Sequence, residues 1–412
     1  MLLLPLLRFA LGVLLLIGSL SAGIAAVPLA QDYTVIYHNP DPEYYVEGPG
    51  LVRLDDGTFV AVVPVVPREQ WSQERRAAHS VVHIFRSGDG GKTWQSLADL
   101  PYYSAAPWVD RGTLYLFANK AGAGKARNEN LILLRSSDGG KTWSEPVTLF
   151  KGNYWNCHTG MVQRDHHIYW AIDDMSYGMN RGPRLVAGDL SGDPMDPHAW
   201  RISDAVTFPG APEQLWNPKF AAQPSQYLEP NLIDVNGRLR VLAAVKIKRP
   251  TTSNLCAVLD AADDGTKLDL KFTQYTGMPG GHLKFCVLRD EPSKLFWATS
   301  NLSADNQGAF DFEKQAIESG HFKAAASDRR FLMLSYSVDA MNWFPAGCVA
   351  QAAKLSQSFM YARPVVDGDD LAIIARSSVN APNQHDADNC TFHRVRDFRH
   401  LALNLYPEPE TK

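Results

Sequence analysis

The hydrophobic positions of this chain fall into short runs that polar turns separate. Six times, a strand-like run, a tight turn of Asp, Asn or Gly and a second strand-like run follow one another. Apolar, β-branched or aromatic residues on both sides of such a turn predict a β-hairpin. The six segments are GLVRLDDGTFVAVV from Gly50, APWVDRGTLYLFA from Ala106, GMVQRDHHIYWAI from Gly160, NLIDVNGRLRVLAAV from Asn231, KFCVLRDEPSKLFWAT from Lys284 and RPVVDGDDLAIIA from Arg363.

A further pair of predicted strands follows each hairpin, and helical periodicity is scarce. Six units of four strands predict an all-β fold, a six-bladed β-propeller of four-stranded antiparallel blades. The first strand-like run, DYTVIYH from Asp32, precedes the first hairpin. We expect it to complete the last blade beside NCTFHRVRDF, because this pairing removes free sheet edges. The pattern thus predicts one propeller domain over residues 27–412.

One nine-residue segment occurs almost unchanged at two places, as RSGDGGKTW from Arg86 and as RSSDGGKTW from Arg135. Weaker copies are SYSVDAMNWF and GDLSGDPMDPHAW. Repetition at such spacing indicates a repeat architecture. The serine and aspartate can accept hydrogen bonds from backbone N–H groups of a turn, and glycine permits a positive φ there. We interpret the segment as a hairpin turn whose tryptophan packs between neighbouring units.

Residues 1–26, MLLLPLLRFALGVLLLIGSLSAGIAA, have the pattern of a cleaved secretory signal peptide. They combine one early cation, Arg8, with a short apolar run and small residues before the expected cleavage site. The alternative is an uncleaved membrane anchor, but the apolar run is shorter than the roughly 20 residues that a span needs. We therefore expect a secreted or periplasmic protein with no membrane span after cleavage.

Charge and cysteine content exclude several classes of protein. The formal net charge of −4 argues against nucleic acid as a partner, because nucleic-acid binding needs a clustered basic surface. The five cysteines are scattered and show no Cys-x-x-Cys spacing, so neither a disulfide scaffold nor a zinc site is indicated. No motif calls for a cofactor or a metal ion.

One segment near the end, QHDADNCTFHR, contains metal-capable side chains at His385, Asp386 and His393. Their spacing matches no standard zinc pattern. We interpret the first part as a loop that interrupts the last blade after its first hairpin, in a position from which it could reach an axial opening.

The repeated Ser-x-Asp-x-Gly-x-Thr-Trp pattern resembles the Asp-box, or BNR, repeat of the sialidase superfamily, whose members are six-bladed propellers. The resemblance extends over nearly the whole chain after residue 26. Sialidases hold the substrate carboxylate with three arginines, one of them in an early Arg-Ile-Pro motif. They also use a tyrosine nucleophile backed by a glutamate, and an aspartate as acid/base. No Arg-Ile-Pro occurs here, and Arg68 in VVPREQW is a poor substitute.

The segment YARPVVDGDDLAIIAR is similar in layout to the one that carries the sialidase tyrosine. The resemblance therefore implies Tyr361 as the nucleophile, with Arg363 and Arg376 in an arginine cluster. It also implies an exo-sialidase-like glycoside hydrolase that removes terminal, acidic sugars. The chain further resembles propeller lyases that act at uronic acids, although none of their diagnostic motifs matches.

The inner strands of a propeller converge on one axial opening, so the residues ahead of each first hairpin are expected to meet there. In chain order these are Glu47, Tyr102 and Tyr103, Asn156 and His158, Glu229 and Asn231, His282 and Lys284, and Tyr361 and Arg363. Polar groups that bind hydroxyls and aromatic rings that pack on sugar C–H faces predict a carbohydrate site. We expect an oligosaccharide or polysaccharide as the substrate.

These residues divide into two predicted roles. The catalytic candidates are Glu47, His158, Glu229 and Tyr361. The substrate-binding candidates are Asn156, Asn231, His282, Lys284, Arg363 and Arg376. Two carboxyl groups across the axis, on Glu47 and Glu229, suit an inverting hydrolase, whereas Tyr361 beside Glu229 suits a covalent route. Each of these residues could instead have a structural role. The glutamates could cap neighbouring blades, and the histidines could be core residues. The tyrosines at 102 and 103 could be packing residues, and Arg363 could form a bridge between blades.

Three functions remain open from the sequence. The first is a glycoside hydrolase. The second is a polysaccharide lyase, in which His158 or Tyr361 removes the proton next to a uronate carboxylate and a cationic group at Arg363, Lys284 or His282 stabilises the enolate. The third is a non-catalytic glycan-binding propeller.

Overall fold

A computed structural model of the chain describes residues 26–68, 79–120, 130–155, 157–210, 226–246, 254–304, 318, 320 and 328–407. Its β-strands, β1 to β26, form six antiparallel sheets. The predicted all-β six-bladed propeller is confirmed, with each of the six hairpins forming the two innermost strands of one blade. Within the described ranges, no helix is long and apolar enough to span a bilayer.

The first three blades follow the chain in order. Blade 1 consists of β2 (Tyr44–Val46), β3 (Gly50–Arg53), β4 (Phe59–Pro67), β5 (Val81–Ser87) and β6 (Gln95–Leu100). Blade 2 consists of β7 (Tyr103–Asp110), β8 (Thr113–Lys120), β9 (Asn130–Ser136) and β10 (Val147–Phe150). Blade 3 consists of β11 (Tyr154–Trp155), β12 (Met161–Arg164), β13 (His167–Asp174), β14 (Gly182–Asp189) and β15 (Trp200–Ile202). In blades 1 and 3 the innermost strand is broken into two short pieces.

The other three blades complete the ring. Blade 4 consists of β16 (Gln226–Val235), β17 (Arg238–Lys246), β18 (Leu255–Asp263) and β19 (Leu268–Gly277). Blade 5 consists of β20 (Cys286–Arg289), β21 (Phe296–Leu302), β22 (Phe331–Ser337) and β23 (Phe344–Gln351). Blade 6 consists of β24 (Ser358–Asp367), β25 (Asp370–Ser378), β26 (Asn389–Val395) and β1 (Tyr33–His38). Short 3₁₀ helices are Met175–Asn180, Pro197–Ala199 and Phe398–Leu401.

The N-terminal strand closes the ring. β1 pairs antiparallel with β26, with Tyr33 opposite His393 and Val35 opposite Thr391. The last blade is thus built from both ends of the domain, as the sequence predicts. Because β26 would otherwise expose its unpaired backbone groups, this pairing also protects a sheet edge.

The hydrophobic core is divided among the six gaps between blades. Each gap holds its own cluster of buried side chains, such as Phe117 of blade 2 against Trp170 of blade 3, whose rings stack 4.9 Å apart. The same arrangement recurs at every other gap, including the gap between blades 6 and 1. Each blade is therefore stabilised by apolar contacts on both of its faces.

This arrangement explains the apolar pattern of the strands. The second strand of a blade lies between two neighbouring blades, and β4, FVAVVPVVP, is buried at every residue. Outer strands reach solvent, and β6, QSLADL, is exposed or half-buried throughout. Continuous apolar runs therefore mark second strands, and more polar runs mark outer ones.

The repeated nine-residue segments form the turns between the third and fourth strands of blades 1 and 2. In the first copy, Asp89 Oδ1 accepts hydrogen bonds from the backbone N–H of Lys92 and Thr93, both at 3.0 Å. Ser87 Oγ accepts one from the Gly91 N–H at 2.9 Å. The second copy repeats these bonds around Asp138. The predicted internal bonding of the turn is thus confirmed.

Each of these turns packs on the preceding blade. Trp94 of blade 1 meets Phe392 of blade 6 edge-on at 5.5 Å, and its indole N–H donates to the Gly91 carbonyl at 3.1 Å. Trp143 of blade 2 packs against blade 1, and Trp343 of blade 5 packs in the gap to blade 4. The motif therefore joins adjacent blades at the periphery, away from the axis.

We expect Gly91→Ala to destabilise the ring more than Gly140→Ala. The two glycines hold the same motif position with φ of +88° and +96°. Both variants thus carry the cost of a positive φ in an L residue. A Cβ on Gly91 would also overlap the Phe392 ring, whereas one on Gly140 would lie 3.3 Å from Ile84 Cγ2. Denaturant unfolding should show an additional loss of about 1–3 kcal/mol for Gly91→Ala. Equal losses would contradict this packing.

We expect His393 to make stability pH-dependent. Its Nδ1–H donates to the Ala30 carbonyl at 2.9 Å, and burial lowers its pKa to about 4. Below pH 6.5 the unfolded chain therefore binds a proton that the folded chain does not, so stability falls as the pH falls towards 4. His393→Gln should be destabilised at pH 7.5, and its deficit should shrink by about 2 kcal/mol at pH 5. Urea unfolding of the wild-type protein and the variant at both pH values measures this deficit. A deficit that is the same at both pH values would exclude the contribution of His393 to the pH dependence.

Candidate functional site

The innermost strands are irregular where they approach one end of the axis. β-bulges interrupt β7 at Ser104, β16 at Glu229 and β24 at Tyr361, and each of these residues has a φ of +51°. A positive φ in a non-glycine residue is costly, and such strain concentrates at functional sites. The bulges thus single out the same end of three different blades, which we call the mouth.

A short hydrogen bond joins blades 4 and 6 across the mouth. The Tyr361 hydroxyl donates to Glu229 Oε1 at 2.6 Å. The Glu229 side chain is almost completely buried, and burial raises its pKa. Burial, followed by the neighbouring carboxylate, raises the pKa of Tyr361 well above its usual value. The pair therefore favours the form in which the phenol keeps its proton.

Asp173 and Arg181 of blade 3 support Glu229 from one side. Asp173 Oδ2 accepts hydrogen bonds from the Glu229 N–H at 3.0 Å and from Arg181 Nη1 at 2.8 Å. Burial raises the pKa of Asp173. Burial by itself lowers the pKa of Arg181, but Asp173 and Glu229 outweigh it and raise the pKa overall. A guanidinium that remains charged is thus placed beside the Glu229 carboxyl group.

Two further arginines approach Tyr361 from the other side. The Arg376 guanidinium lies between two rings, 4.9 Å from the centre of Tyr45 and 5.1 Å from that of Tyr361. Arg376 is 1% exposed, and its Nε has no hydrogen-bond partner among the described residues. Arg329 is also buried, and its charge and that of Arg376 favour the ionised form of Tyr361. The tyrosine hydroxyl therefore lies in a cationic environment.

The segment 379–388, between β25 and β26, forms part of the rim of the mouth. Its Ala387 carbonyl accepts a hydrogen bond from the Val46 N–H of β2 at 2.9 Å. His385 Nδ1 lies 2.8 Å from Asp386 Oδ1, and the second oxygen of Asp386 bonds Arg68 Nη1 at 2.9 Å. This segment lies beside Arg376, which agrees with its interpretation as a loop that reaches the axial opening.

Four of the residues singled out from the sequence meet at the mouth: Glu47, Glu229, Tyr361 and Arg376. Glu47 Oε2 accepts a hydrogen bond from Ser104 Oγ at 3.0 Å, which links blades 1 and 2. The next residue, Gly48, touches Tyr361: a Cβ there would lie 3.1 Å from Tyr361 Cδ1. Glu47 thus stands close to the tyrosine, and its catalytic role stays a prediction.

Three other candidates use their polar atoms to hold blades together. Asn231 Oδ1 accepts from the N–H groups of Gly160 and Val287, both at 3.1 Å. His158 Nδ1 accepts from the Leu51 N–H at 3.2 Å, and burial lowers its pKa well below its usual value. Lys284 Nζ donates to the backbone carbonyl of residue 362 at 2.8 Å. Because its Nδ1 lone pair is already used, neutral His158 is poorly placed to act as a base.

Arg363 lines a groove on the side of the ring away from the mouth. Its Nη1 donates to the Thr159 carbonyl at 3.2 Å and to Cys286 Sγ at 3.1 Å. It lines a groove of about 630 Å³ together with Arg164 and Arg289, near the turns of the first hairpins of blades 3 to 5. These contacts favour the alternative role of Arg363, as a bridge between blades.

The remaining candidates are buried or lie outside the described part of the chain. His282 is 2% exposed and Tyr103 is 5% exposed. Asn156 lies outside the described residues. Within the described ranges, no group of three or more His, Cys, Asp or Glu side chains could hold a metal ion.

Sequence reasoning missed Asp173, Arg181 and Arg329. Asp173 is the second-last residue of the apolar strand run HIYWAIDD, and an acidic residue near the end of a strand buried on both faces is a usable signal. Arg181 and Arg329 lie outside the first hairpins, in connections between later strands. Only the folded chain brings them to the mouth.

Solved structures share this fold at low sequence identity. The sialidase of Trypanosoma rangeli superposes with a TM-score of 0.60 and 14% identity, over 91% of this chain and 61% of that one. The α-L-arabinanase of Penicillium chrysogenum, solved with arabinobiose, superposes with a TM-score of 0.56 and 12% identity, over 90% of this chain and 99% of that one. An α-L-arabinofuranosidase of Fusarium graminearum superposes with a TM-score of 0.55 and 12% identity, over 89% of this chain and 98% of that one.

No protein-family model and no curated protein sequence matches the chain. The chain spans about three fifths of the length of the sialidase and nearly the whole length of the arabinanase and of the arabinofuranosidase. The likeness therefore rests on three-dimensional structure. This chain has the six-bladed β-propeller fold that these solved structures share.

Proposed function

We propose that this protein is a glycoside hydrolase that removes a terminal, carboxylate-bearing sugar with Tyr361 as the nucleophile. The observation that carries the proposal is the 2.6 Å hydrogen bond from Tyr361 to Glu229 within a cationic pocket. The structurally similar proteins, named as a sialidase, an arabinanase and an arabinofuranosidase, support a carbohydrate substrate.

Glu229 supplies the base that a tyrosine nucleophile needs. As Tyr361 Oη attacks the anomeric carbon, its proton passes to Glu229 Oε1, and the bond from that carbon to the aglycone oxygen breaks with its electron pair on the oxygen. The raised pKa of Glu229 makes this carboxylate a better proton acceptor. Arg376 and Arg329 favour negative charge on Oη, which counters the effect of burial. Proton transfer and attack can therefore proceed together.

The arginines indicate an anionic sugar. Arg181, Arg329 and Arg376 come from blades 3, 5 and 6 and act on the same Tyr361–Glu229 pair. Arg376 forms no ion pair with a carboxylate within the described ranges, and its buried Nε is unpartnered there. A carboxylate on the substrate would satisfy such a group by charge-assisted hydrogen bonds. A neutral pentose would leave the charge without a partner.

A polysaccharide lyase is the second candidate, because the same groups could serve it. Tyr361 would then remove the proton next to a uronate carboxylate, and Arg376 would stabilise the enolate. The two reactions differ in their products. Elimination creates a conjugated double bond that absorbs in the ultraviolet, and hydrolysis does not.

Tyr361→Phe and Glu229→Gln should each lower kcat on an aryl glycoside of a carboxylated sugar by about 10²–10⁴-fold, because each removes the nucleophile or its base. Tyr169→Phe is the matched control. Its hydroxyl donates to Asp263 Oδ2 at 3.0 Å, a second tyrosine–carboxylate bond that lies away from the mouth. Steady-state kinetics on aryl sialosides and aryl uronides, with folding checked by circular dichroism, measures the effect.

Full activity in both Tyr361→Phe and Glu229→Gln would remove the proposed nucleophile and base. Product that absorbs in the ultraviolet would establish elimination instead of hydrolysis. Binding of the sugar without turnover by the wild-type protein would identify a glycan-binding propeller.

Arg376→Gln should raise KM for a carboxylated substrate by about 10–100-fold, as expected for one charge-assisted hydrogen bond. The KM for the corresponding methyl ester should change much less, because that substrate carries no charge. The exposed Arg135, which pairs with Asp193 at 3.0 Å, gives the control Arg135→Gln. Equal changes in KM for the carboxylated substrate and its methyl ester would show that Arg376 does not bind the carboxylate.

A further inference from the structure

A histidine–carboxylate pair stands at the rim of the mouth. His385 Nδ1 lies 2.8 Å from Asp386 Oδ1, and the His385 side chain is 26% exposed. Because a carboxylate only accepts, the neutral imidazole carries its proton on Nδ1. This tautomer leaves the Nε2 lone pair free to take a proton.

The pair is held in place by its own segment and by neighbouring blades. Asn383 Oδ1 accepts hydrogen bonds from the N–H groups of His385 and Asp386, both at 2.8 Å. Arg68 Nη1 binds the second oxygen of Asp386 at 2.9 Å. Gln384 is buried, and its Oε1 accepts from the Arg329 N–H at 2.7 Å. Such a fixed arrangement is what a group that transfers protons requires.

Arg376 links this pair to the proposed nucleophile. Its Nη2 donates to the His385 carbonyl and lies 3.4 Å from His385 Nδ1, whose proton is directed to Asp386. The Arg376 guanidinium stands 5.1 Å from the Tyr361 ring centre. The Tyr45 ring faces both Arg376, at 4.9 Å, and the His385 ring, at 5.8 Å. One guanidinium therefore separates the imidazole from Tyr361.

We propose that His385 is the general base that activates the hydrolytic water, with Asp386 as the residue that fixes its tautomer. This inference rests on the proposed hydrolase. Nε2 takes a proton from water, the water oxygen bonds to the anomeric carbon, and the bond from that carbon to Tyr361 Oη breaks. The electron pair returns to Oη, which recovers the proton held by Glu229. His385 then releases its proton to solvent.

Burial and the surrounding positive charges keep the imidazole neutral. Burial, followed by the charges of Arg376 and Arg329, lowers the pKa of His385 to about 4, although Asp386 acts in the opposite direction. Arg68 adds a further positive charge on the far side of Asp386. At neutral pH the Nε2 lone pair is therefore present, as a base requires.

The molecule contains a matched control. His83 Nδ1 lies 2.6 Å from Asp99 Oδ1 on the outer strands of blade 1, away from the mouth. The same type of pair thus occurs at a place where no proton transfer to substrate is expected. His83→Ala should leave kcat and KM unchanged.

The test uses the full-length protein, an aryl glycoside of a carboxylated sugar with a good leaving group, and sodium azide. His385→Ala should lower kcat by about 10²–10³-fold while an initial burst of phenol remains, because only breakdown of the covalent intermediate needs the base. Azide attacks without a base, so it should restore turnover and yield a glycosyl azide. Asp386→Asn should lose the acid limb of the kcat–pH profile and respond to azide in the same way.

Each result has one meaning. Unchanged kcat in His385→Ala, or a loss that azide does not restore in a protein with normal circular dichroism, would overturn the role of His385 alone, provided that Tyr361→Phe is inactive. A loss of kcat in His83→Ala that azide restores would also overturn it, because that residue lies away from the mouth. A wild-type protein without turnover on any glycoside would instead overturn the proposed function, and this inference with it.

Discussion

Closure of the ring is the constraint on which the rest of this structure depends. Each blade is apolar on both faces, so no blade is stable without a neighbour on either side, and β1 supplies the last strand of blade 6. Closure turns every innermost strand towards one axis. Residues 132 positions apart, Glu229 and Tyr361, thereby come within 2.6 Å. The peripheral turns around Asp89 and Asp138 strengthen the same ring from outside.

Burial and charge act against each other at the mouth, and the outcome differs from residue to residue. For Glu229 and Tyr361 burial prevails, so both pKa values rise and the shared proton stays on the phenol. For Arg181 the neighbouring carboxylates prevail, and it remains cationic. A buried tyrosine–carboxylate pair surrounded by guanidinium groups is the result. Such an environment favours negative charge at the place where the proposed reaction creates it.

The sequence predicts the fold well and the site in part. Hairpin turns set the phase of each inner strand, which is why the sequence predicts that Glu47, Glu229 and Tyr361 lie at the same end of the ring, where the structure places them. The same reasoning expects Arg363 beside Tyr361, but the bulge between Met360 and Arg363 shifts the register, and Arg363 lies near the opposite groove. A bulge leaves no periodic signal, so this separation is visible only in the folded chain.

The sequence by itself determined the all-β class, the grouping of the strands into six blades and the joining of the two ends, because apolar periodicity and turn residues are local properties of the chain. Tertiary structure decided which side chains meet and in which protonation state. Arg181 and Arg329 reach the mouth from connections that carry no shared pattern, and Asp173 reaches it from the end of β13. Their effect on Tyr361 and Glu229 depends on burial and on distance between blades, and neither quantity exists until the ring closes.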